Sequence, residues 1–466
     1  LTKSDRYFST DPAIKKFAIE LYNGIKDFPI LSPHGHVDAE IFANNRPFSD
    51  PSQLIIVPDH YVFRMFYSQG IDLEDMGIPT ADGSDYEKDN RKIWQKFADY
   101  FYLFAGTPTG LWLTHELREV FDVSEKLSGD TAMPVYDTIL EKLALPEYLP
   151  RALFKRFNIE LLSTTNGAKD SLKDHIKIKD SGWSGKIIPC FRPDDVTNLN
   201  VQGWRDNIKK LSEITAIDIR NFTSFLIALE KQREFFKSMG ATSTDHGVDD
   251  AYTHQLSPGE ADVIFQHALK GESNKEDASR FTAHMLMEMA RMSVEDGLVM
   301  QLHPGSFRNH NELIFRRFGP DKGADIPVRM EYTRNLHELL NKYGNHKDFS
   351  LIVFTLDEST YSRELAPLAG HYPAMRVGPA WWFFDSFQGM LYHRQKIFET
   401  ANVYNTVGFI DDTRSYPSIP ARHDLSRRVD CDYLANLVAR QVLDMEDAVK
   451  MSRALAYDLS KKAYKL

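Results

Sequence analysis

The chain has almost no cysteine: only Cys190 and Cys431 occur in its 466 residues. Two are too few for a disulfide framework or a Cys-based zinc site. A long apolar run is also missing. The densest stretch, residues 97–106, contains Asp99 and falls short of the ~18 residues of a membrane span. Residues 1–10 hold no apolar core, so no secretory leader is expected there, and Leu1 in first position suggests that translation starts upstream. Basic tracts are absent too: 56 Lys and Arg stand against 66 Asp and Glu, a net charge of −10. Neither nucleic acid nor a membrane is therefore an expected partner. What is present is 42% hydrophobic, 12% aromatic and 26% charged residues. That suffices for a packed core and is far from the composition of a disordered chain. The expectation is a cytoplasmic protein of enzyme size. Length alone allows about three domains of ~150 residues or one barrel with insertions.

Eight short apolar runs end in polar or unusual residues. Residues 28–31 run into Ser32-Pro33-His34-Gly35-His36, residues 159–162 into Ser163-Thr164-Thr165, and residues 186–190 into Phe191-Arg192-Pro193-Asp194. Residues 240–244 lead weakly to Asp245-His246-Gly247, residues 298–302 to His303-Pro304-Gly305, and residues 351–356 to Asp357-Glu358. Residues 375–377 lead to Gly378-Pro379-Ala380-Trp381-Trp382, and residues 407–410 to Asp411-Asp412-Thr413-Arg414. Ile-, Val- and Leu-rich runs without alternation suit parallel strands buried on both faces. Helical spacing fills the gaps, notably over residues 280–296, 325–343 and 385–402. The pattern predicts an α/β fold in which residues 1–466 form one (β/α)8 barrel; an open doubly wound sheet is the structural alternative. A plain barrel needs about 250 residues. The excess falls after the first strand, over residues 45–155. This stretch is helix-like and aromatic, with Tyr61, Phe63, Trp94, Phe97 and Trp112 among others. We read it as a helical insertion over the barrel mouth, against the alternative of an independent helical domain.

Barrel enzymes place their chemistry at strand C-termini, which gives the strand-end residues weight. His34 and His36 form the only His-x-His pair. In an extended segment their side chains point the same way and can reach one ion. Asp412 follows the last strand, which neighbours the first in a closed barrel. It can complete a two-histidine, one-carboxylate site or act as a base beside the ion; adjacent Asp411 is expected to point away. Arg192 and Arg414 carry forks that match a carboxylate. His303 can serve as ligand, acid/base or substrate contact. His246 is a weaker candidate. Trp381 and Trp382 are either packing residues or a sugar-facing wall.

These residues, in this order, resemble the uronate isomerases (glucuronate isomerase) of the amidohydrolase superfamily. The likeness runs over almost the whole chain. It rests on Pro33-His34-Gly35-His36, Asp59-His60-Tyr61 with Arg64, His115-Glu116-Leu117-Arg118, Thr164-Thr165 and Arg192-Pro193-Asp194. It continues with His303-Pro304-Gly305 and Arg308-Asn309, Trp381-Trp382, and Asp412-Thr413-Arg414-Ser415. The resemblance implies a distorted barrel of amidohydrolase type that interconverts D-glucuronate and D-fructuronate, and D-galacturonate and D-tagaturonate. It implies one divalent metal, commonly zinc, on His34, His36 and Asp412. It further implies proton-transfer roles among Asp412, Tyr61, His303 and Arg414, substrate contacts from Arg192, Trp381, Arg308 and His60, and a homo-oligomer. Two departures bear on substrate preference more than on reaction type. Asn166-Gly167 follows Thr165 where members often have Asp-Asp-Pro, and Ser32-Pro33 precedes His34 where members often have Asp-Tyr. The competing class is a metal-dependent hydrolase. A two-metal member would carry a bridging lysine after strand four, and no lysine stands there.

Overall fold

Residues 5–466 are described by the computed structural model; residues 1–4, part of the stretch read for a leader, lie outside them. Seven parallel strands lie side by side in chain order: β1 (Ile30–Ser32), β2 (Ile159–Gly167), β3 (Lys186–Arg192), β4 (Ser243–His246), β5 (Val299–Leu302), β6 (Leu351–Val353) and β7 (Met375–Val377). Each pairs in parallel register with the next. Every residue of β5 and β6 is buried, as strands covered on both faces require.

The eighth expected run forms no regular strand. Gly408 adopts φ +76°, a left-handed conformation that breaks the pleat and that glycine adopts without a Cβ penalty. Only Thr406 bridges to Val377, and the Val407 N–H donates to the Val377 carbonyl at 3.3 Å. Beyond it, the His36 N–H donates to the Thr413 carbonyl at 2.8 Å. The segment thus touches β7 at one end and the turn after β1 at the other, without a ladder on either side. This distorts the α/β barrel and leaves the Asp411–Asp412 turn beside the His34–His36 turn.

Between β1 and β2 the chain is helical, from Ala39–Asn44 through α1 (His60–Tyr67) to Pro150–Arg156. One hydrophobic cluster joins this stretch to the barrel, running from Phe66, Trp94 and Phe97 to Ile30, Ile159 and Ile187. Asp59 caps α1 by accepting from the Tyr61 N–H at 2.9 Å, which satisfies a donor that the helix leaves open. Long helices surround the sheet, among them Phe222–Ser238, α2 (Lys275–Asp296), α3 (Phe387–Ala401) and α4 (Ile419–Ala439). α2 begins at an Asn274 cap and stops at Gly297, φ +80°, as a polar N-cap and a left-handed C-terminal glycine dictate.

The helix expected over residues 325–343 is confined to His337–Tyr343. Pro327 cannot continue a helix, and carboxylates take the N–H groups that follow. Asp357 accepts from Met330, and Glu364 from Tyr332 and Thr333. Near the C-terminus, Tyr464 is fully buried among Val299, Ile352 and Val407 and donates its phenol to Gln301 at 2.6 Å.

Candidate active site

The turn after β1 brings the two histidines together. Their ring centroids lie 5.4 Å apart, nearly perpendicular. The Thr165 hydroxyl holds the turn from below by donating to the Gly35 carbonyl at 2.9 Å. Asp412 comes from the opposite side with φ +43°, a left-handed conformation that costs a non-glycine residue on the order of 1 kcal/mol and clusters at functional sites. Its Oδ1 lies 3.3 Å from His34 Nε2 and 3.1 Å from His36 Nε2. That Oδ1 nevertheless accepts no hydrogen bond. Its other oxygen accepts from the Trp381 indole N–H at 2.6 Å.

Three ligand atoms within 4.8 Å of one another are able to hold one metal ion. Ligand bonds of about 2.0–2.2 Å in a tetrahedral shell put donors about 3–3.5 Å apart, which these separations match. The unsatisfied Oδ1 is the observation that favours an ion over a purely protein-made network.

The charges agree with this arrangement. Burial works against ionisation of Asp412, but His36 and His34 outweigh it and hold its carboxyl well below the ordinary range. Burial likewise opposes the charge on His34, yet Asp245 and Asp412 keep its pKa well above the usual value. For His36, burial prevails over Asp412, and its pKa is lowered.

A second layer lies against the first. His303 stacks on His34 at 4.7 Å and on Phe354 at 3.9 Å. Its Nδ1 lies 2.6 Å from Asp245 Oδ1, while its Nε2 is buried without a partner. Burial lowers its pKa to about 4 despite Asp245. A neutral ring facing an ionised Asp245 carries its proton on Nδ1, which leaves Nε2 as an acceptor. Arg192 donates from Nε to Asp194 at 2.7 Å and lies 3.1 Å from Asp245 through Nη1. His34, Asp245 and His303 form a second group close enough to share an ion.

The remaining candidates line the mouth. Tyr61, near the start of α1, is buried against Trp112, and burial pushes its phenol well above the ordinary value. His60 is buried with both ring nitrogens unpartnered. Burial and the Arg414 charge hold it neutral, with a pKa well below normal. Arg308 donates to Asp325 at 2.7 Å and lies over the Trp382 ring. Arg414 is 3.6 Å from Asp321. A cavity of about 430 Å³ opens beside His36, Thr165 and Arg414.

The structure does not bring His246 into the site. It is the strand residue after Asp245, so it faces the other way, and its Nε2 lies 2.9 Å from Thr244 Oγ1. Asp411 does point away from Asp412, but it is fully buried and paired to His423 at 3.0 Å. Asp245 and Arg422 escaped the sequence reasoning. Strand alternation, together with the need of a buried arginine for a carboxylate, is the signal that favours Asp245 over His246. Arg422, on α4, donates to Asp385 and to the Asp411 carbonyl at 2.8 and 3.1 Å and stacks over Trp112 at 3.6 Å. Nothing in its surrounding sequence marks it.

A family model described as glucuronate isomerase matches residues 7–464. A uronate isomerase of Nostoc punctiforme is 54% identical over 463 residues, covering 99% of this chain and 98% of that one. The crystal structure of glucuronate isomerase from Caulobacter crescentus shares the fold at a TM-score of 0.98 and 48% identity, covering 100% of this chain and 97% of that one. A uronate isomerase structure from Thermotoga maritima gives 0.92 at 27% identity, with 100% and 99% covered. With a match over nearly its whole length, this chain belongs to the glucuronate isomerase family.

Proposed function

We propose that the chain is a uronate isomerase, interconverting D-glucuronate with D-fructuronate and D-galacturonate with D-tagaturonate. The observation that carries the reading is the convergence, at one barrel mouth, of an unsatisfied carboxylate between two imidazoles with guanidinium groups and a buried His303–Asp245 pair. Aldose–ketose isomerisation moves a proton between C2 and C1, which needs a base at the carbon, a donor or acceptor at the oxygens and a cation for the carboxylate.

A divalent ion, one per chain and zinc in this reading, would sit on His34, His36 and Asp412 and supply Lewis acidity toward the carbonyl and hydroxyl oxygens. Asp412, with one oxygen tied to Trp381, offers its remaining lone pairs as the base. His303 Nε2 accepts a proton from a substrate hydroxyl. Tyr61 stays a neutral phenol and serves as a donor. Arg414 and Arg192 take the carboxylate, and Arg308, His60 and Trp381 border the sugar. Residues 1–466 act as one barrel domain with residues 45–155 over its mouth, in a cytoplasmic homo-oligomer. The absence of a lysine at the end of β4 weighs against a two-metal hydrolase.

Incubation with each uronate, followed by NMR detection of the ketose, tests the reading. Formation of the 2-keto acid is expected. No ketose, together with turnover of an amide or lactone panel, would reverse it.

A further inference from the structure

Asp321 lies in no motif that marks the site. It sits in the loop of residues 319–325, between the helix Glu312–Phe318 and the short strand Ile326–Pro327. Three loop residues are left-handed: Gly319 at φ +81°, Asp321 at +59° and Gly323 at +74°. A non-glycine residue keeps that conformation only when surrounding contacts hold it. Those contacts are visible. A Cβ on Gly323 would meet Arg64 Cβ at 2.5 Å and the His60 carbonyl at 3.3 Å, so the loop rests directly on α1. At its far end, Asp325 accepts from Arg308 and from the Asn309 N–H.

The loop thereby sets a protein carboxylate at the mouth. Asp321 Oδ1 is 3.6 Å from Arg414 Nη2, with the two side chains 49% and 27% exposed. Arg414 and Arg308 are the cations that act on it, and against burial they hold its carboxyl below the ordinary range. They belong to the set assigned above to the substrate. The pair is long, and both members are open to solvent, so little holds it closed.

We propose that Asp321 is a specificity-determining residue that competes internally for the subsite of the substrate carboxylate. In the resting chain it neutralises Arg414. A uronate binds by exchanging its own carboxylate for that of Asp321, whose solvent-exposed side chain turns aside while the loop stays seated on α1. A neutral sugar has no charge to exchange, so opening the pair would leave Arg414 and Asp321 without replacement partners. The device thus selects for acid sugars by what it withholds from the others. It rests on the reading that Arg414 anchors the carboxylate.

The test uses metal-loaded full-length protein and initial rates with D-glucuronate, in wild type, Asp321→Asn, Asp321→Ala and Arg414→Gln. Inhibition by glutarate, an unreactive dicarboxylate, is measured in parallel. Removing the competitor should lower KM and the glutarate inhibition constant about two- to five-fold in both Asp321 variants, the range of an exposed ion pair. Arg414→Gln should raise KM. If it does, but the Asp321 variants leave KM unchanged or raise it, the exchange is wrong and Asp321 orients Arg414 or touches the sugar. If Arg414→Gln leaves KM unchanged, the anchoring reading itself falls.

Discussion

At the scale of residues, Trp381 decides what a substitution at Asp412 would do. Its indole N–H needs an acceptor at Oδ2. An asparagine would therefore turn its carbonyl toward Trp381 and its NH2 toward His34 and His36. An amide nitrogen cannot be a ligand beside two imidazoles, so Asp412→Asn should lose metal as well as activity, with kcat down by ~10²–10⁴. Metal stoichiometry and kcat at saturating metal, measured on one preparation, check this. Full occupancy with normal turnover would remove Asp412 from the site. Asp411→Asn is no neutral comparison, because it breaks the buried pair with His423. Arg192→Lys keeps charge but cannot reach Asp194 and Asp245 together. It should cost about 1.5–3 kcal/mol in kcat/KM. Unchanged kcat/KM would mean that the Arg192 fork plays no part in the reaction.

At the scale of elements, the sequence showed what depends on composition and missed what depends on strain and reach. Most of β1 to β7 were legible because buried parallel strands carry apolar runs; β4, Ser243-Thr244-Asp245-His246, is buried but polar, so residues 240–244 gave only a weak signal and Asp245 and His246 fall inside the strand rather than after it. The eighth run was apolar too, and only the left-handed Gly408, fitted against the Leu455 carbonyl, keeps it out of the ladder. The grouping of His34, His36 and Asp412 was legible because the turn after β1 and the segment after the eighth apolar run meet at one mouth. Asp245 was not, because the fold chose it over its neighbour His246 by one step of alternation. The family resemblance held over the whole chain. Two glycines test these elements. At Gly408 a Cβ would lie 2.5 Å from the Leu455 carbonyl at φ +76°. Gly408→Ala should therefore cost about 1–3 kcal/mol of stability, read as a lower Tm; an unchanged Tm would mean that the segment relaxes freely. At Gly247, just past β4, a Cβ would lie 2.2 Å from Arg192 Nη2 and 2.9 Å from Asp194. These are side-chain tips, so Gly247→Ala should spare the fold but shift the guanidinium. A displacement of that kind costs roughly 10- to 100-fold in kcat/KM. Loss of Tm instead of kcat/KM would place the strain in the backbone.

At the scale of the molecule, buried ionisable groups away from both the metal-type triad and the His303–Asp245 pair shape the response of stability to acid. Burial lowers His175 to about 4, and His246 and His393 to about 3. His115 falls to about 4 through burial and the adjoining Arg6 charge. In the unfolded chain these rings titrate near 6.5. Between pH ~4 and ~6.5 the unfolded state therefore binds protons that the native state refuses, and stability falls as pH is lowered. Carboxyls raised by burial, among them Glu116, Asp194 and Asp385, work the other way. Burial raises Asp194 to about 6 and Asp385 to about 7, against the pull of Arg192 and Arg422. Their native forms take up protons well above ~3.9, so their contribution is fully present in acid and fades as pH rises through 6 to 7. Four histidines against these carboxyls leave a net loss on acidification, on the order of 1 kcal/mol per pH unit between pH 6 and 5. With saturating divalent ion, protons competing for His34 and His36 add in the same sense. Above pH ~6.5 the unfolded rings shed their remaining protons while Asp385 ionises in the native state, so the opposing effects nearly cancel and stability should level off near neutrality. Tm measured from pH 7 to 5 in the presence of metal should therefore fall steadily below pH 6.5, with net proton uptake on unfolding. A Tm that holds or rises over that interval would mean that the raised carboxyls outweigh the four rings.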